Sequence, residues 1–369
     1  MRAKAPNIAI VCDFLTTMGG AENVALSLHE VFPDAPIYTA LYNPEKAPAF
    51  KNIDVRTSYL QRLPKFLRNN HRLFPTLSIN ALKKIDLSEY DIILTSSYLN
   101  ANQVRKTRSD QVLISYCHTP ARYYWSHYEL YQKQPGFGIL NPLIRIMMSL
   151  LVPRLRKLDY EAAQRVDVFL ANSSESQARI KKYYGRNSTV LYPPVDTKRF
   201  TPTRTRGNYY VTMGRQMPNK RYDLAIEACT VLNLPLIVFG NGPMHDKLVK
   251  KAGQTIEFRT DRFSDASDAE LEKAINSAKG FIFPSDEDFG IVTVEALAAG
   301  APVIGYGKSG TLDIITDGET GVLFKHQTVE DVIAAIKKAE GITFFPSKLA
   351  RHAKRFDRGL FTTKISKIV

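Results

Sequence analysis

Short apolar runs alternate with longer segments of helical spacing along the whole chain. Most of the runs are continuous rather than alternating, as expected for strands that are buried on both faces of a parallel sheet. In the first half, the predicted strands cover residues 7–12, 91–95, 112–116, 168–171 and 189–191. In the second half, they cover residues 209–213, 236–239, 255–258, 280–283 and 303–306. Repeated strand–helix units predict a doubly wound α/β architecture.

The chain has 369 residues, which is more than one hydrophobic core normally supports, so we predict two domains. The segment Tyr192-Pro193-Pro194 interrupts the strand–helix pattern, and its prolines favour an extended connector. The predicted boundary therefore falls between residues 192 and 193. Ligands of open parallel sheets bind at the carboxyl ends of the strands, so we expect the two sheets to face each other across an interdomain cleft.

Composition indicates a soluble globular protein, with 44% apolar and 23% charged residues. Cys12, Cys117 and Cys229 are far apart and lack metal-ligand spacing, which is typical of buried thiols in a reducing cytoplasm. No N-terminal signal peptide is visible, and the longest apolar run, 146–152, is too short to cross a bilayer. We therefore expect a cytoplasmic protein that is not integral to a membrane.

Positive charge is concentrated in the first half of the chain. Residues 1–190 contain 25 Lys/Arg and 15 Asp/Glu, a net charge of +10, whereas residues 191–369 contain 25 and 21, a net charge of +4. Basic and apolar residues are interleaved in segments 51–84 and 144–158, a pattern that suits an anionic membrane surface. The alternative is a solvated helix face. Nucleic acid is not expected as a partner, because no recognised reader motif is present.

The most informative segment follows the predicted strand 280–283. There an acidic loop containing Glu287 and Gly290 leads into a helix that carries Glu295. A strand, a glycine-bearing loop and a helix present backbone N–H groups and a positive dipole end to an anion. Two carboxylates at the same place suit the hydroxyl groups of a sugar and a ribose. The segment therefore indicates a nucleotide-sugar site.

Two other interpretations of this segment remain open. Glu287 could be an exposed loop acid and Glu295 a member of an ion pair. Alternatively, Asp286-Glu287-Asp288 could hold a divalent metal through its carboxylates. We disfavour a metal. The metal-dependent glycosyltransferases that carry such a triplet have a single-domain architecture, whereas this chain is predicted to have two sheets.

Two further loops of the second half follow predicted strands. After strand 209–213, Arg215 and Lys220 bracket a loop where two cations can clamp a diphosphate and stabilise negative charge on a leaving group. A solvated surface loop is the alternative. After strand 236–239, Gly240 allows a base or ribose to approach the backbone closely.

Two loops of the first half are also candidates. Gly19 and Gly20 follow the first strand and precede a helix, so they can approach an anion, although a tight turn is an alternative. The spacing GxGxxG is absent, which argues against a dinucleotide-dependent oxidoreductase. His118 follows strand 112–116 and could hydrogen-bond a sugar hydroxyl, with Trp125 available to stack on a sugar; a purely structural histidine is the alternative.

Together these segments resemble the retaining family 4 glycosyltransferases of the GT-B fold. The two glutamates of 287–295 resemble the EX7E signature of that family, segment 214–220 its diphosphate clamp, and segment 19–22 its glycine loop. Segment 310–324 resembles the closing segment, with Asp313 where glutamate is more common. Segments 117–125 and 287–290 look most like those of bacterial O-antigen and exopolysaccharide mannosyltransferases.

The resemblance implies transfer of mannose from GDP-mannose to a polyprenyl-diphosphate-linked glycan, with retention and without a metal or cofactor. It also implies an N-terminal acceptor domain over 1–192, a nucleotide-sugar domain over 193–346, and a final helix over 347–369 that packs back on the N-terminal domain. The protein would act peripherally at the inner face of the plasma membrane. A UDP-sugar-dependent enzyme and a non-catalytic nucleotide-sugar-binding subunit are the alternatives.

The resemblance assigns roles to individual residues. Glu287 and His118 would contact the sugar, Arg215 and Lys220 the diphosphate, and these four form the predicted catalytic set. Gly20 would offer its amide to the diphosphate and Glu295 would bind the ribose. The predicted donor-binding set is Gly19, Gly20, Arg215, Lys220, Gly240, Glu287, Asp288, Phe289, Gly290, Ile291 and Glu295.

Overall fold

A computed structural model describes residues 6–70, 74–133, 138, 141–203, 205–259 and 268–369. Residues 71–73 of the basic segment 51–84, among them Arg72, lie outside the described residues. The contacts divide the chain into two compact units. The first comprises Met1–Tyr192 with Thr362–Val369, and the second comprises Pro193–Phe361.

The first unit is built on a seven-stranded sheet of order β3-β2-β1-β4-β5-β6-β7, in which every pair is parallel. Its strands are β1 (Ile8–Cys12), β2 (Ile37–Thr39), β3 (Val55–Thr57), β4 (Ile92–Ser97), β5 (Val112–Cys117), β6 (Val168–Ala171) and β7 (Thr189–Val190). Its helices are α1 (Gly20–Val31), α2 (Lys65–Asn69), α3 (Pro75–Lys83), α4 (Tyr128–Lys133), α5 (Asn141–Gln164) and α6 (Ser174–Tyr184). Apolar side chains of the central strands, such as Ile10 and Ile93, are fully buried.

The second unit has a six-stranded parallel sheet of order β10-β9-β8-β11-β12-β13. Its strands are β8 (Tyr210–Met213), β9 (Leu236–Phe239), β10 (Ile256–Arg259), β11 (Gly280–Phe283), β12 (Val303–Tyr306) and β13 (Gly321–Phe324). Its helices are α7 (Tyr222–Val231), α8 (His245–Val249), α9 (Asp268–Ser277), α10 (Ile291–Ala298), α11 (Thr311–Ile314), α12 (Val329–Glu340) and α13 (Pro346–Ala353). The last helix, α14 (Arg358–Ile368), begins in the second unit and continues in the first. Both units are thus Rossmann-like, as predicted.

The predicted final helix is wrong as one continuous element. The structure has α13 and α14 instead, separated by a 3₁₀ turn over Lys354–Phe356 and by Asp357. Asp357 accepts a hydrogen bond from the Thr197 hydroxyl at 2.5 Å, and its backbone pairs with Val195. These contacts hold the chain at the break. Helix α13 lies in the second unit, and of residues 347–369 only those from Thr362 onward group with the first.

A buried carboxyl group lies in the core of the first unit. Asp159 accepts hydrogen bonds on one oxygen from the Trp125 indole at 2.7 Å and from the Tyr184 hydroxyl at 2.8 Å. Burial raises the pKa of Asp159 to about 7, although both donors oppose the shift. Trp125 also stacks on Tyr183 with ring centroids 5.1 Å apart. The suggestion that Trp125 stacks on a sugar is therefore wrong, since its ring and its N–H have partners within the unit.

The Asp159 carboxyl group predicts a pH dependence of stability. In the unfolded chain it ionises near pH 4, but in the folded chain it stays protonated until about pH 7. The contribution of Asp159 to the free energy of unfolding is thus complete below about pH 4. Between about pH 4 and about pH 7 it falls by about 1.4 kcal/mol per pH unit, because only the unfolded chain releases the proton there. Asp159→Asn keeps an acceptor oxygen and cannot ionise. Urea unfolding at about pH 5 and at about pH 8 measures the change. Between these two pH values the free energy of unfolding should fall less in the variant than in the wild type, and an equal fall in both proteins would contradict the assignment.

Candidate functional site

The carboxyl edge of the second sheet brings four loops together. Strands β9, β8, β11 and β12 are adjacent and parallel, so the loops that follow them share this edge. The loops are residues 240–243, 214–221, 284–290 and 307–310. They contain the predicted residues Gly240, Arg215, Lys220 and Glu287, so the fold places on one edge groups that are far apart in sequence.

Gln216 joins the loops after β8 and β9. Its side chain is fully buried, and its amide nitrogen donates to the Gly240 carbonyl at 2.6 Å. Its backbone N–H donates to the Asn241 carbonyl at 2.9 Å, and its side-chain oxygen lies 2.9 Å from Nδ1 of His245. Sequence reasoning missed Gln216, although a glutamine between two predicted phosphate ligands was a signal. Gln216 fixes the loop that carries Arg215 and Lys220.

Arg215 is exposed, and its guanidinium makes no hydrogen bond or ion pair with any residue that the structure describes. The preceding Gly214 has φ of 136°, and a Cβ at that position would lie 2.5 Å from the Tyr222 hydroxyl. That hydroxyl in turn donates to the Met213 carbonyl at 2.5 Å. Glycine is thus required at 214 for both conformation and space, and the backbone leading to Arg215 is fixed.

Lys220 and Glu287 form an ion pair in which Nζ of the lysine donates to Oε1 of the glutamate. Both side chains are largely buried. The Lys220 carbonyl also accepts a hydrogen bond from the Ser285 hydroxyl at 3.0 Å. The sequence assigned Lys220 to a diphosphate and Glu287 to a sugar, whereas the structure pairs the two side chains with each other. Glu287 is thus not an isolated exposed acid.

The acidic loop is fixed from the opposite side by the loop after β12. Asp286 accepts hydrogen bonds from the Ser309 hydroxyl at 2.6 Å and pairs with Lys308 at 3.1 Å. The backbone N–H of Gly310 donates to the Glu287 carbonyl at 3.0 Å. A Cβ at Gly310 would lie 2.3 Å from Cα of Phe289, so only glycine allows the loops to approach this closely.

The predicted donor-binding residues Asp288 and Phe289 have buried side chains. The Phe289 ring packs edge-on against Phe356 with centroids 5.6 Å apart. The Phe289 side chain thus anchors the acidic loop to Phe356. Among the described residues, no group of three His, Cys, Asp or Glu side chains is arranged to hold a metal ion.

Helix α10 begins directly after the acidic loop. Gly290 precedes it with φ of 96°, a left-handed conformation that favours glycine. The Thr293 side chain is buried, and its hydroxyl donates to the Gly290 carbonyl at 2.7 Å. Ile291 is the first helical residue and the half-buried Glu295 lies about one turn further along. The positive end of the helix dipole therefore lies beside the Lys220–Glu287 pair.

In the first unit, Gly19 precedes α1 and Gly20 is its first residue, so both lie between β1 and the body of α1, as predicted. A recess there is lined by Asp13, Glu22, Ser96 and Tyr98. The Asp13 carboxylate accepts backbone hydrogen bonds from Tyr98, Leu99, Asn100 and Ala101. These four N–H groups are therefore already hydrogen-bonded to the Asp13 carboxylate. The acidic side chains of Asp13 and Glu22 disfavour an anion at this recess, and the assignment of Gly20 to a diphosphate stays a prediction.

His118 follows β5 and is almost fully buried. Its Nε2 lies 2.9 Å from the Ser96 hydroxyl, and its ring packs edge-on against Tyr116 at 5.1 Å. Its carbonyl accepts a hydrogen bond from the Ser176 hydroxyl at 2.6 Å. His118 is therefore anchored in the first unit and contacts Ser96, a residue of the recess. A role in contacting the sugar stays a prediction.

Comparison with known families assigns both units. Residues 18–199 match the model of Glycosyltransferase Family 4, and residues 196–356 match that of Glycosyl transferases group 1. The structure of Anabaena HepE in complex with UDP-glucose is similar to this chain, with a TM-score of 0.71, 15% identity and coverage of 99% of both chains.

Two curated relatives are mannosyltransferases. Alpha-1,3/1,6-mannosyltransferase ALG2 of Dictyostelium discoideum is 23% identical over 91% of this chain and 90% of that enzyme. The GDP-mannose-dependent alpha-(1-6)-phosphatidylinositol monomannoside mannosyltransferase of Mycolicibacterium smegmatis is 27% identical over 52% of this chain, a match that spans 56% of that enzyme.

The two parallel sheets and the similarity to HepE define a protein of the GT-B fold. The two family matches overlap only at residues 196–199 and follow the order of the two units along the chain. This chain is a glycosyltransferase, with a Glycosyltransferase Family 4 domain followed by a Glycosyl transferases group 1 domain.

Proposed function

We propose that the chain transfers mannose from GDP-mannose to a polyprenyl-diphosphate-linked glycan in the synthesis of a bacterial surface polysaccharide. The transfer retains the anomeric configuration and needs no metal. The observation that carries the proposal is the arrangement beside the start of α10: Arg215, which has no side-chain partner among the described residues, lies on the same loop as Lys220, which pairs with Glu287.

The ion pair suggests how donor binding proceeds. A diphosphate has more negative charge than one carboxylate, so it competes with Glu287 for Lys220 and also attracts Arg215. Once released, the Glu287 carboxylate can accept hydrogen bonds from sugar hydroxyls. The two cations and the dipole of α10 then offset the charge that develops on the leaving nucleoside diphosphate. Binding of the leaving group and orientation of the sugar are thereby coupled.

The relatives support mannose, because two of them are named as mannosyltransferases and one as GDP-mannose-dependent. The complex of HepE with UDP-glucose favours the second candidate, a UDP-sugar-dependent glycosyltransferase. A non-catalytic subunit is disfavoured, because Arg215, Lys220, Glu287 and Glu295 are all present.

Thermal shift with GDP-mannose, UDP-glucose and ADP-glucose tests the donor. We expect GDP-mannose to raise the midpoint of unfolding most, both in EDTA and with added Mg²⁺ or Mn²⁺, since ligand binding to the folded state raises its stability. Arg215→Ala, which removes an exposed side chain with no described partner, should abolish most of the shift without lowering the midpoint of the free protein. A larger shift with UDP-glucose would favour the second candidate, and a shift seen only with metal would overturn metal independence.

A further inference from the structure

Helix α5 exposes a row of large apolar side chains that ends in two cations. The apolar members are Leu143, Ile146, Met147 and Leu150, with exposed fractions of 54%, 60%, 39% and 73%. Their spacing places them on one side of the helix, and Arg154 and Lys157 continue the same line toward its C-terminal half. We call these six residues the α5 stripe. A contiguous apolar patch of this kind is typical of an interaction surface.

The opposite side of α5 fixes the helix to the first unit. Val152 and Leu155 are buried in a cluster with Ile79 of α3 and with Tyr124. The first half of α5 also contacts α4, because the Arg145 guanidinium donates a hydrogen bond to the Lys133 backbone carbonyl at 2.6 Å. The α5 stripe is therefore not a misplaced core face, since the helix already has a separate buried face.

The charged residues within 141–158, the segment that carries the α5 stripe, have one sign. Residues 141–158 include four basic residues and no acidic one. Arg156 lies over the rings of Trp125 and Tyr128 at 5.4 and 4.8 Å. By contrast, Arg154 and Lys157 are exposed, and neither side chain has a hydrogen bond or ion pair with a described residue. A partner that covers this surface must accept apolar side chains and supply negative charge.

We infer that the α5 stripe lies in the headgroup region of an anionic lipid bilayer, with its four apolar side chains at the acyl boundary and Arg154 and Lys157 against lipid phosphates. An interfacial helix of this type lies on a membrane rather than crossing it. Correspondingly, no helix among the described residues is long and apolar enough to span one. The inference rests on the proposed function, because a polyprenyl-linked acceptor is held in a bilayer.

A second copy of the chain fits the α5 stripe less well. In a two-fold symmetric contact the same patch meets itself, so Arg154 and Lys157 would approach a surface of equal charge. Residues 141–158 contain no carboxylate that could offset that repulsion. A bilayer with anionic headgroups supplies the missing charge.

Co-sedimentation with vesicles tests the inference. We expect the full chain to bind phosphatidylcholine vesicles containing about one third phosphatidylglycerol at least about tenfold more tightly than pure phosphatidylcholine vesicles. Ile146→Gln combined with Leu150→Gln should lower binding to the anionic vesicles at least about tenfold. Arg154→Gln and Lys157→Gln should each lower it about fivefold at low salt, and less at high salt.

Val231→Gln is the matched control, because Val231 is 69% exposed on α7 of the second unit. It should leave vesicle binding unchanged. Equal binding to neutral and anionic vesicles, or full binding by the Ile146/Leu150 variant, would overturn the inference. So would a wild-type dimer that the same variant converts to monomer in analytical ultracentrifugation. Thermal shift with GDP-mannose, measured on the same samples, separates this inference from the proposed function: a wild-type chain that does not bind anionic vesicles but keeps its thermal shift refutes only the inference about the α5 stripe.

Discussion

Glu287→Ala and Lys220→Ala are each expected to lower sugar transfer roughly 100- to 1,000-fold while the chain remains folded. Lys220→Ala removes a cation from the leaving diphosphate and leaves the Glu287 carboxylate without the partner that it has in the structure. Glu287→Ala removes the carboxylate that would orient the sugar. The measurement is kcat/KM for transfer from the preferred donor, with circular dichroism to confirm the fold.

Lys338→Ala is the control for this pair of variants. Lys338 forms an ion pair with Asp317 at 2.8 Å in the same unit, but both side chains are about half exposed and belong to α12 and the segment before β13. Loss of an exposed ion pair costs at most about 1 kcal/mol, and transfer should stay close to that of the wild type. Near-wild-type kcat/KM in either Glu287→Ala or Lys220→Ala would contradict the assigned site.

Gly310→Ala is expected to damage the same site through steric overlap rather than through a change of charge. Gly310 has an ordinary helical conformation, with φ of −61°, so an alanine is not strained by its dihedral angles. Its Cβ, however, would lie 2.3 Å from Cα of Phe289 and 2.4 Å from the Asp288 carbonyl oxygen. Both are backbone atoms, so the acidic loop must move. We expect a loss of about 1–3 kcal/mol of unfolding free energy and a large fall in kcat/KM, since Gly310 holds the Glu287 backbone.

Gly341→Ala is the matched substitution for Gly310→Ala. Gly341 also has a helical conformation, with φ of −82°, and the nearest atom to an added Cβ is the Lys338 carbonyl oxygen at 3.5 Å. That distance is ordinary van der Waals contact, so stability and transfer should change little. If Gly310→Ala behaves like Gly341→Ala in urea unfolding and in steady-state transfer, the close packing of the two loops is not required.

The architecture could be predicted because a buried parallel strand leaves a strong sequence signal. Each of the ten predicted strands corresponds to an observed strand, with ends that differ by no more than a few residues. Three strands were missed, namely β2, β3 and β13. Strands β2 and β3 have three residues each, too short for a periodic pattern, and the exposed residues of β3 resemble a loop. Strand β13 has four residues and begins with Gly321, a residue type that is depleted in strands.

The site was predictable only in part. The position of a loop after a strand indicates which edge it occupies, so Arg215, Lys220 and Glu287 could be placed together. The ion pair between Lys220 and Glu287 could not be predicted, because the two residues are 67 positions apart and their contact depends on how β8 and β11 pair. The role of Gln216 was equally hidden, since its hydrogen bonds reach the loop after β9.

Calorimetric titration with GDP tests most directly whether Lys220 binds the diphosphate of the donor and Glu287 binds its sugar. The account predicts that Lys220→Ala weakens GDP binding at least about tenfold, because a charge-assisted contact is lost. Glu287→Ala should bind GDP as tightly as the wild type or more tightly, because Lys220 no longer has a competing carboxylate. The same variant should lose the preference of the wild type for GDP-mannose over GDP. If both variants bind GDP and GDP-mannose like the wild type, the ion pair is structural and the donor site lies elsewhere.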